Sequence, residues 1–138
     1  MKCKIDHSIG IAILLILVVS MAEVWAGQLE TRDISGEYTR DTENESGKIQ
    51  VQSLPDGMVQ VKGVSFWGIN RKDGPNIGEL EFKAPVKNDR VVYSEKVGKK
   101  GWYRLELTFK EGSLLARQEG ITPDFGLNVT FAGEYQRK

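Results

Sequence analysis

Residues Phe125 to Arg137, which read FGLNVTFAGEYQR, have the pattern of a turn followed by a β-strand with alternate residues on one face. The end of this stretch, Gly133-Glu134-Tyr135-Gln136-Arg137, repeats an earlier segment, Gly36-Glu37-Tyr38-Thr39-Arg40. The shared pattern Gly-Glu-Tyr-x-Arg predicts that the first and last strands lie side by side and close a sheet into a barrel. The alternative is a coincidence between two short segments of common β residues.

Between these two segments the apolar residues alternate with polar ones, and no helical period appears. We therefore predict an all-β fold, an eight-stranded antiparallel up-and-down barrel. At Gly63 the alternation changes phase, which predicts a β-bulge. Pro85 cannot donate to a ladder, so the barrel could remain open at that strand.

The connections between predicted strands differ in length. Those after strands two, four and six are tight, and those after strands one, three, five and seven are long. Alternate connections of a meander lie at opposite ends, so all the long loops are predicted at one end, the mouth of the barrel. An eight-stranded barrel either fills its interior with side chains or holds one small ligand.

The first 26 residues have the features of a signal peptide. A basic start is followed by an apolar run from Ile9 to Val19 and by small residues before a predicted cleavage site after Ala26. We expect residues 27–33 to form a flexible lead-in and residues 34–138 to form one barrel domain. The protein is then periplasmic or secreted, without stable membrane insertion.

Composition restricts the chemistry of this domain. The only cysteine, Cys3, and the only histidine, His7, lie in the predicted signal peptide. The mature chain then has no thiol nucleophile, imidazole base or usual zinc site, so we expect no enzyme activity, metal or cofactor. Nineteen basic and nineteen acidic residues balance, which argues against a nucleic-acid partner.

The connection between strands three and four is the first candidate binding site. It combines an aromatic residue with amides, charges and glycines, a mixture suited to hydrogen-bonded recognition. The candidate residues are Trp67, Asn70, Arg71, Asp73 and Asn76. The alternative is an ordered turn in which the amides bond the backbone and Trp67 plugs the barrel.

Two further elements are predicted at the same end. The loop before the last strand contributes Asp124, Phe125 and Asn128, and Trp102 begins the sixth strand. Phe125 and Leu127 either form an exposed apolar tip or fold back as a lid over the core. We favour the lid, because a small domain needs the burial.

The first and last strands and the segment from Gly126 to Tyr135 resemble the layout of calycins, the lipocalin-like and avidin-like barrels. The segments Trp67-Gly68-Ile69-Asn70 and Gly74-Pro75-Asn76-Ile77-Gly78 also resemble small bacterial envelope proteins, some of whose relatives accompany lysozyme-inhibitor modules. Calycins carry Gly-x-Trp on the first strand, where this chain has Tyr38, and no ligand-binding residue is transferred from them.

Together these features predict a non-enzymatic binding module. It would contact an envelope protein or glycan through the long-loop end, or hold a small ligand inside the barrel. A lysozyme inhibitor that uses Asn70, Arg71 and Asp73 is the most concrete version, and a fully packed envelope-maintenance domain is the structural alternative.

Overall fold

The alternating segments form eight antiparallel strands in a computed structural model that describes residues 32–138. The predicted signal peptide and residues 27–31 of the lead-in lie outside the described residues. The strands are β1 (Gly36–Asp41), β2 (Glu45–Ser53), β3 (Met58–Trp67), β4 (Asn76–Pro85), β5 (Arg90–Val97), β6 (Gly101–Lys110), β7 (Ser113–Gly120) and β8 (Gly133–Arg137). One short 3-10 turn, Pro55–Gly57, joins β2 to β3. The predicted all-β barrel is confirmed.

The strand order is β4-β3-β2-β1-β8-β7-β6-β5, so the first and last strands pair as the repeated motif predicts. Tyr38 lies opposite Arg137 in this ladder. Within the described residues, β4 and β5 form no ladder with each other, which leaves one open seam in the barrel. Pro85 is the last residue of β4 at this seam, as its missing amide hydrogen allows.

Side chains cover the inner side of the seam although the backbones do not pair. Phe82 of β4 and Tyr93 of β5 both point inward, and their rings stack with centroids 4.4 Å apart and planes 12° from parallel. Aromatic pairs of this kind add to the free energy of simple burial. The two rings therefore bridge the seam at this level, while the strand edges remain unpaired.

Both copies of the repeated motif make the same contacts. The hydroxyl of Tyr38 donates to the carbonyl of Ile34, and that of Tyr135 donates to the carbonyl of Phe131, four residues back in each case. The arginine of each copy bonds the residue three positions before the other copy: Arg137 donates to the carbonyl of Asp33, and Arg40 to that of Thr130. The equivalent contacts show that the repeat is structural and not a coincidence.

The predicted bulge at Gly63 is wrong. Gly63 pairs with Ile49 on one side and Leu80 on the other in an unbroken register. The phase of the apolar pattern changes because β3 turns a glycine inward at this position. A Cβ atom on Gly63 would lie 2.7 Å from Cε1 of Phe131, so the missing side chain makes room for that ring.

Small residues line the inner face of β2, β3 and β4 near the mouth: Gly47, Gly63, Ser65 and Gly78. The β7–β8 connection, residues 121–132, fills the space that they leave. A Cβ on Gly78 would lie 2.8 Å from both Phe125 and Val129, and Ser65 donates to the carbonyl of Thr130 at 2.6 Å. The chain thus closes its own barrel at the mouth.

Loop lengths agree with the prediction only in part. The connections after β3 and β7 are long, with residues 68–75 and 121–132. The connections after β1 and β5, residues 42–44 and 98–100, are short, because β2 begins at Glu45 and β5 continues to Val97. All four still lie at one end of the meander. Among residues 32–138, no helix has the length and apolar character that a bilayer crossing requires.

Candidate functional site

The mouth of the barrel is formed by the four connections that follow odd-numbered strands. All nine residues predicted as binding candidates lie in these connections or at the strand ends beside them. Their side chains divide into those that hold the connections together and those that face solvent.

Trp67 and Arg71 form a pair within the β3–β4 connection. Trp67 is the last residue of β3 and is half-buried, and the guanidinium carbon of Arg71 lies 5.6 Å from the centre of its ring. Gly68 has φ of 77°, and a side chain there would overlap Arg71. The glycine therefore permits the stacked cation, a contact of about 0.5–1 kcal/mol at an exposed site.

The two candidate amides of this connection tie the mouth together. Asn70 donates to the carbonyl of Glu43 at 2.7 Å, and Asn76 donates to the carbonyl of Leu127 at 2.8 Å. Each bond joins the β3–β4 connection or its edge to another connection. Both amides thus donate to backbone carbonyls of other connections, and Asp73 remains exposed beside them.

Some side chains of the β7–β8 connection pack against the core, and others face solvent. Phe125 is half-buried and makes edge-to-face contacts with Tyr103 and Phe131, with ring centroids 5.8 and 5.4 Å apart. The lid prediction is therefore right for Phe125 and wrong for Leu127, which is 76% exposed. Asp124 and Asn128 are exposed too, and Asn128 adopts the left-handed φ of 66° that asparagine tolerates.

Apolar side chains gather at this end in a way that the sequence analysis did not identify. Six large hydrophobic residues are exposed among residues 32–138, and five of them lie at the mouth. We call these five the apolar rim: Ile69, Ile77, Trp102, Ile121 and Leu127. The sixth, Val92, lies on the outer face of β5 toward the opposite end.

Backbone contacts order two parts of the rim. The amide of Ile121 donates to the carbonyl of Trp102 at 2.8 Å, so these neighbours lie at adjoining strand ends. On the other side, the amide of Gly126 donates to the carbonyl of Ile77 at 2.8 Å and places Leu127 beside β4. These bonds therefore hold Ile121 and the segment around Leu127 against strand ends.

The charges of the four mouth connections nearly cancel. The basic residues are Arg71, Lys72, Lys99 and Lys100, and the acidic residues are Glu43, Asp73 and Asp124. A nearly neutral apolar surface suits association by burial, because charge steering would need a clear excess of one sign.

The barrel interior is occupied by side chains of the core. Tyr103 and Tyr135 are fully buried there together with Phe131 and Leu105. Burial raises the pKa of all four tyrosines of the chain, Tyr38, Tyr93, Tyr103 and Tyr135, because the charged phenolate loses hydration. Two concavities of about 380 and 390 Å³ lie on the outer faces of strands.

Comparison of the chain with protein-family models, with curated proteins and with solved structures gave no match. Within the described part of the chain, no group of three histidine, cysteine or carboxylate side chains is placed to hold a metal ion.

Proposed function

We propose that this protein is an exported, non-enzymatic binding module that engages an envelope protein through the apolar rim. The observation that carries the proposal is the gathering of five of the six exposed large hydrophobic residues of the described chain at one end. Exposed apolar side chains that concentrate in one region are typical of interaction sites, whereas singly scattered ones are ordinary.

The composition of the rim favours a protein over a glycan. Four of its five members are aliphatic, and Trp102 is its single aromatic residue. Sugar recognition needs polar groups that converge on the ligand, and here Asn70 and Asn76 already bond the backbone. An aliphatic surface with balanced charges fits a complementary apolar groove on a protein.

The packed interior argues against transport of a small ligand within the barrel. Phe125 and Phe131 occupy the space behind the mouth, and the glycines opposite them leave no room for more atoms. A purely structural envelope domain would have no reason to concentrate apolar side chains at one end, since exposed apolar area promotes aggregation. The rim supports binding over both alternatives.

Replacing Leu127 and Trp102 with serine should abolish binding to the natural partner. Truncating a hot-spot residue, a class enriched in tryptophan, costs about 2 kcal/mol or more, so we expect the Trp102 variant alone to weaken binding about 30-fold and the double variant to weaken it further. The partner is first identified by cross-linking in the native envelope and is then purified without cross-links. The dissociation constant of its complex with each variant is the measurement. Photo-cross-linkers at positions 102 and 127 would identify that partner.

Val92→Ser provides the matched control, because Val92 is 42% exposed and lies outside the rim. It should bind like the wild type. Equal binding by the rim variants and wild type would contradict the proposal, as would cross-links only to lipid or glycan. Cross-links only to a second copy of this chain would show that the rim is a dimer interface. That result would also contradict the proposal that an envelope protein is the partner.

A lysozyme inhibitor is the second version of this function, suggested by the resemblance to envelope proteins and by the exposed Asp73 in the β3–β4 connection. Asn70 and Arg71 are engaged by Glu43 and Trp67, so Asp73 would be the group that enters a cleft. In this version, Asp73→Ala should lower inhibition of lysozyme at least 10-fold, while Lys83→Ala on the outer face of β4 should not. Unchanged inhibition by Asp73→Ala would exclude it.

A further inference from the structure

A carboxylate is buried on the outer face of the barrel, away from the mouth. Glu106 belongs to β6 and points outward, yet its side chain is only 8% exposed. Arg90 and Arg104 cover it: Arg90 bonds Oε1, and Arg104 bonds Oε2 at 3.1 Å. One carboxylate thus holds two guanidinium groups on one surface.

We propose that Arg90 and Arg104, positioned by Glu106, form a binding pocket for an oxyanion, a carboxylate or phosphate group. The pocket goes beyond the proposed rim function and lies apart from it, beside the β4–β5 turn. It is a concavity of about 390 Å³ lined by Pro85, Lys87, Asn88, Arg90, Val92, Arg104 and Glu106.

The charge of the lining suits an anion. Three cations, Lys87, Arg90 and Arg104, surround the single carboxylate of Glu106. The pKa of Glu106 is lowered, first by the hydrogen bond from Arg90, so the carboxylate stays ionised at neutral pH and balances only one of the three cations. An incoming oxyanion would neutralise part of the remaining positive charge.

Arg90 and Arg104 have more N–H donors than their contacts with Glu106 use. A guanidinium group has five N–H donors in a planar fork. Within residues 32–138, the side-chain hydrogen bonds of Arg90 and Arg104 all go to Glu106. Glu119 of β7 lies opposite Arg104 in the ladder, and among the described residues the two side chains form no ion pair. The remaining donors are available for bidentate contacts with a ligand.

The backbone beneath Arg90 is held by a tight turn. Lys87 and Arg90 exchange two backbone hydrogen bonds of 2.9 and 3.0 Å, and Asn88 and Asp89 between them both have left-handed φ angles. This is the geometry of a type I′ hairpin turn, which matches the twist of the flanking strands. The turn therefore fixes Arg90 and Lys87 on the same side of the pocket.

Stability alone does not account for this arrangement. Arg90 is about half exposed and Arg104 more than a third exposed, whereas Glu106 is buried, and an ion pair with a buried charge often contributes no more to the free energy of folding than an apolar side chain of similar volume. A threonine or valine at position 106 would fill an outward strand position without a buried charge. A carboxylate that orients two arginines over a concavity is better explained by recognition.

The open shape and the volume of the concavity fit an anionic group on a molecule the size of a monosaccharide or dipeptide. Carboxylate and phosphate both match the guanidinium fork, and they can come from a free metabolite or from a larger glycan or peptide. The shared chemistry is an oxyanion with adjacent polar groups.

The test is an NMR titration of the full mature chain with inorganic phosphate, with glucuronate and with uncharged glucose, at constant ionic strength. We expect saturable shifts of backbone amides in residues 85–92 and 104–106 with at least one anion, and none with glucose. Arg90→Gln and Arg104→Gln should each lower the affinity about 10-fold or more, because each removes a charge-assisted bidentate contact.

Lys62→Gln is the matched control, since it removes the same charge from an exposed ion pair with Glu81 on another face. It should leave the affinity unchanged. Saturation by phosphate alone would identify a phosphate site, and saturation by glucuronate a carboxylate site. Absence of saturation with both anions, or equal affinity in wild type and Arg90→Gln, would overturn the proposal. Arg90→Gln remains informative if Arg104→Gln fails to fold, because Arg90 is the more exposed.

Discussion

Phe131→Ala is expected to destabilise the protein by about 3–5 kcal/mol, the range for removing a buried ring that leaves a cavity. Phe131 is fully buried, and it contacts Phe125 and the space above Gly63. For a domain of this size the loss corresponds to a fall in melting temperature on the order of 15–30 °C. Thermal and urea unfolding of the mature chain would measure it.

A second substitution tests whether the absence of a side chain at Gly63 makes room for the ring of Phe131. Gly63→Ala alone should cost about 1–3 kcal/mol, because its Cβ would lie 2.7 Å from Phe131 and 3.1 Å from Leu80. Combined with Phe131→Leu, the added methyl group would occupy released space. The double variant should then be more stable than the sum of the two single effects predicts, by about 1 kcal/mol.

Gly101→Ala is the control for this coupling. Its added Cβ would meet Val97 and Ile121 and not Phe131, so its effect should add to that of Phe131→Leu within about 0.5 kcal/mol. Strict additivity in the Gly63 pair would show that the phase change in β3 has another cause.

The protein is expected to unfold cooperatively in alkali before its buried tyrosines ionise. The pKa of each of the four tyrosines is raised in the folded state, chiefly by burial. A tyrosine whose pKa is raised on folding leaves the free energy of unfolding unchanged below its unfolded pKa of 10.0. That free energy falls as the pH rises from there toward the folded pKa. Alkali therefore favours the unfolded chain.

The size of the effect follows from the two most deeply buried rings. Each of Tyr103 and Tyr135 should lower the free energy of unfolding by up to about 1.4 kcal/mol per pH unit while the pH lies between its unfolded and its folded pKa. The stability of the domain should therefore fall progressively above pH 10. Tyrosinate absorbance and circular dichroism should change together.

The same titration in concentrated denaturant is the control, and there all four tyrosines should ionise near pH 10. Ionisation of Tyr103 or Tyr135 near pH 10 in the native protein, with the circular dichroism unchanged, would contradict the burial of these rings. Tyr135→Phe should keep the cooperative transition and reduce the absorbance change.

Strand alternation and the repeated Gly-Glu-Tyr-x-Arg motif were enough to predict the barrel and the pairing of its ends. They were not enough at Gly63, because a glycine that changes the phase of a pattern fits both a bulge and an inward gap for a distant ring. Sequence separation explains the error: Phe131, the residue that needs the gap, lies 68 positions later in the chain.

The fold places all nine candidate residues at the mouth, where Asn70 and Asn76 bond the backbone and Phe125 packs against the core. These contacts could not be read from the sequence, because each joins residues of different connections or strands. The apolar rim escaped prediction because the exposure of Ile77 and Ile121 depends on how strand ends meet across the barrel. The outward positions of Arg104 and Glu106 followed from alternation on β6, but their convergence with Arg90 required the register of β5.

The position of the open seam makes a circular permutation of the chain possible. Read from β5 through β8 and then from β1 to β4, the sheet follows a simple meander in which every ladder joins consecutive strands. Lys138 already bonds Glu37, so the two ends of the barrel segment lie close together. A circular permutant opened in the β4–β5 turn and linked between β8 and β1 would replace its most distant ladder by a local hairpin. Its lower contact order would speed folding while every ladder of the native sheet remained.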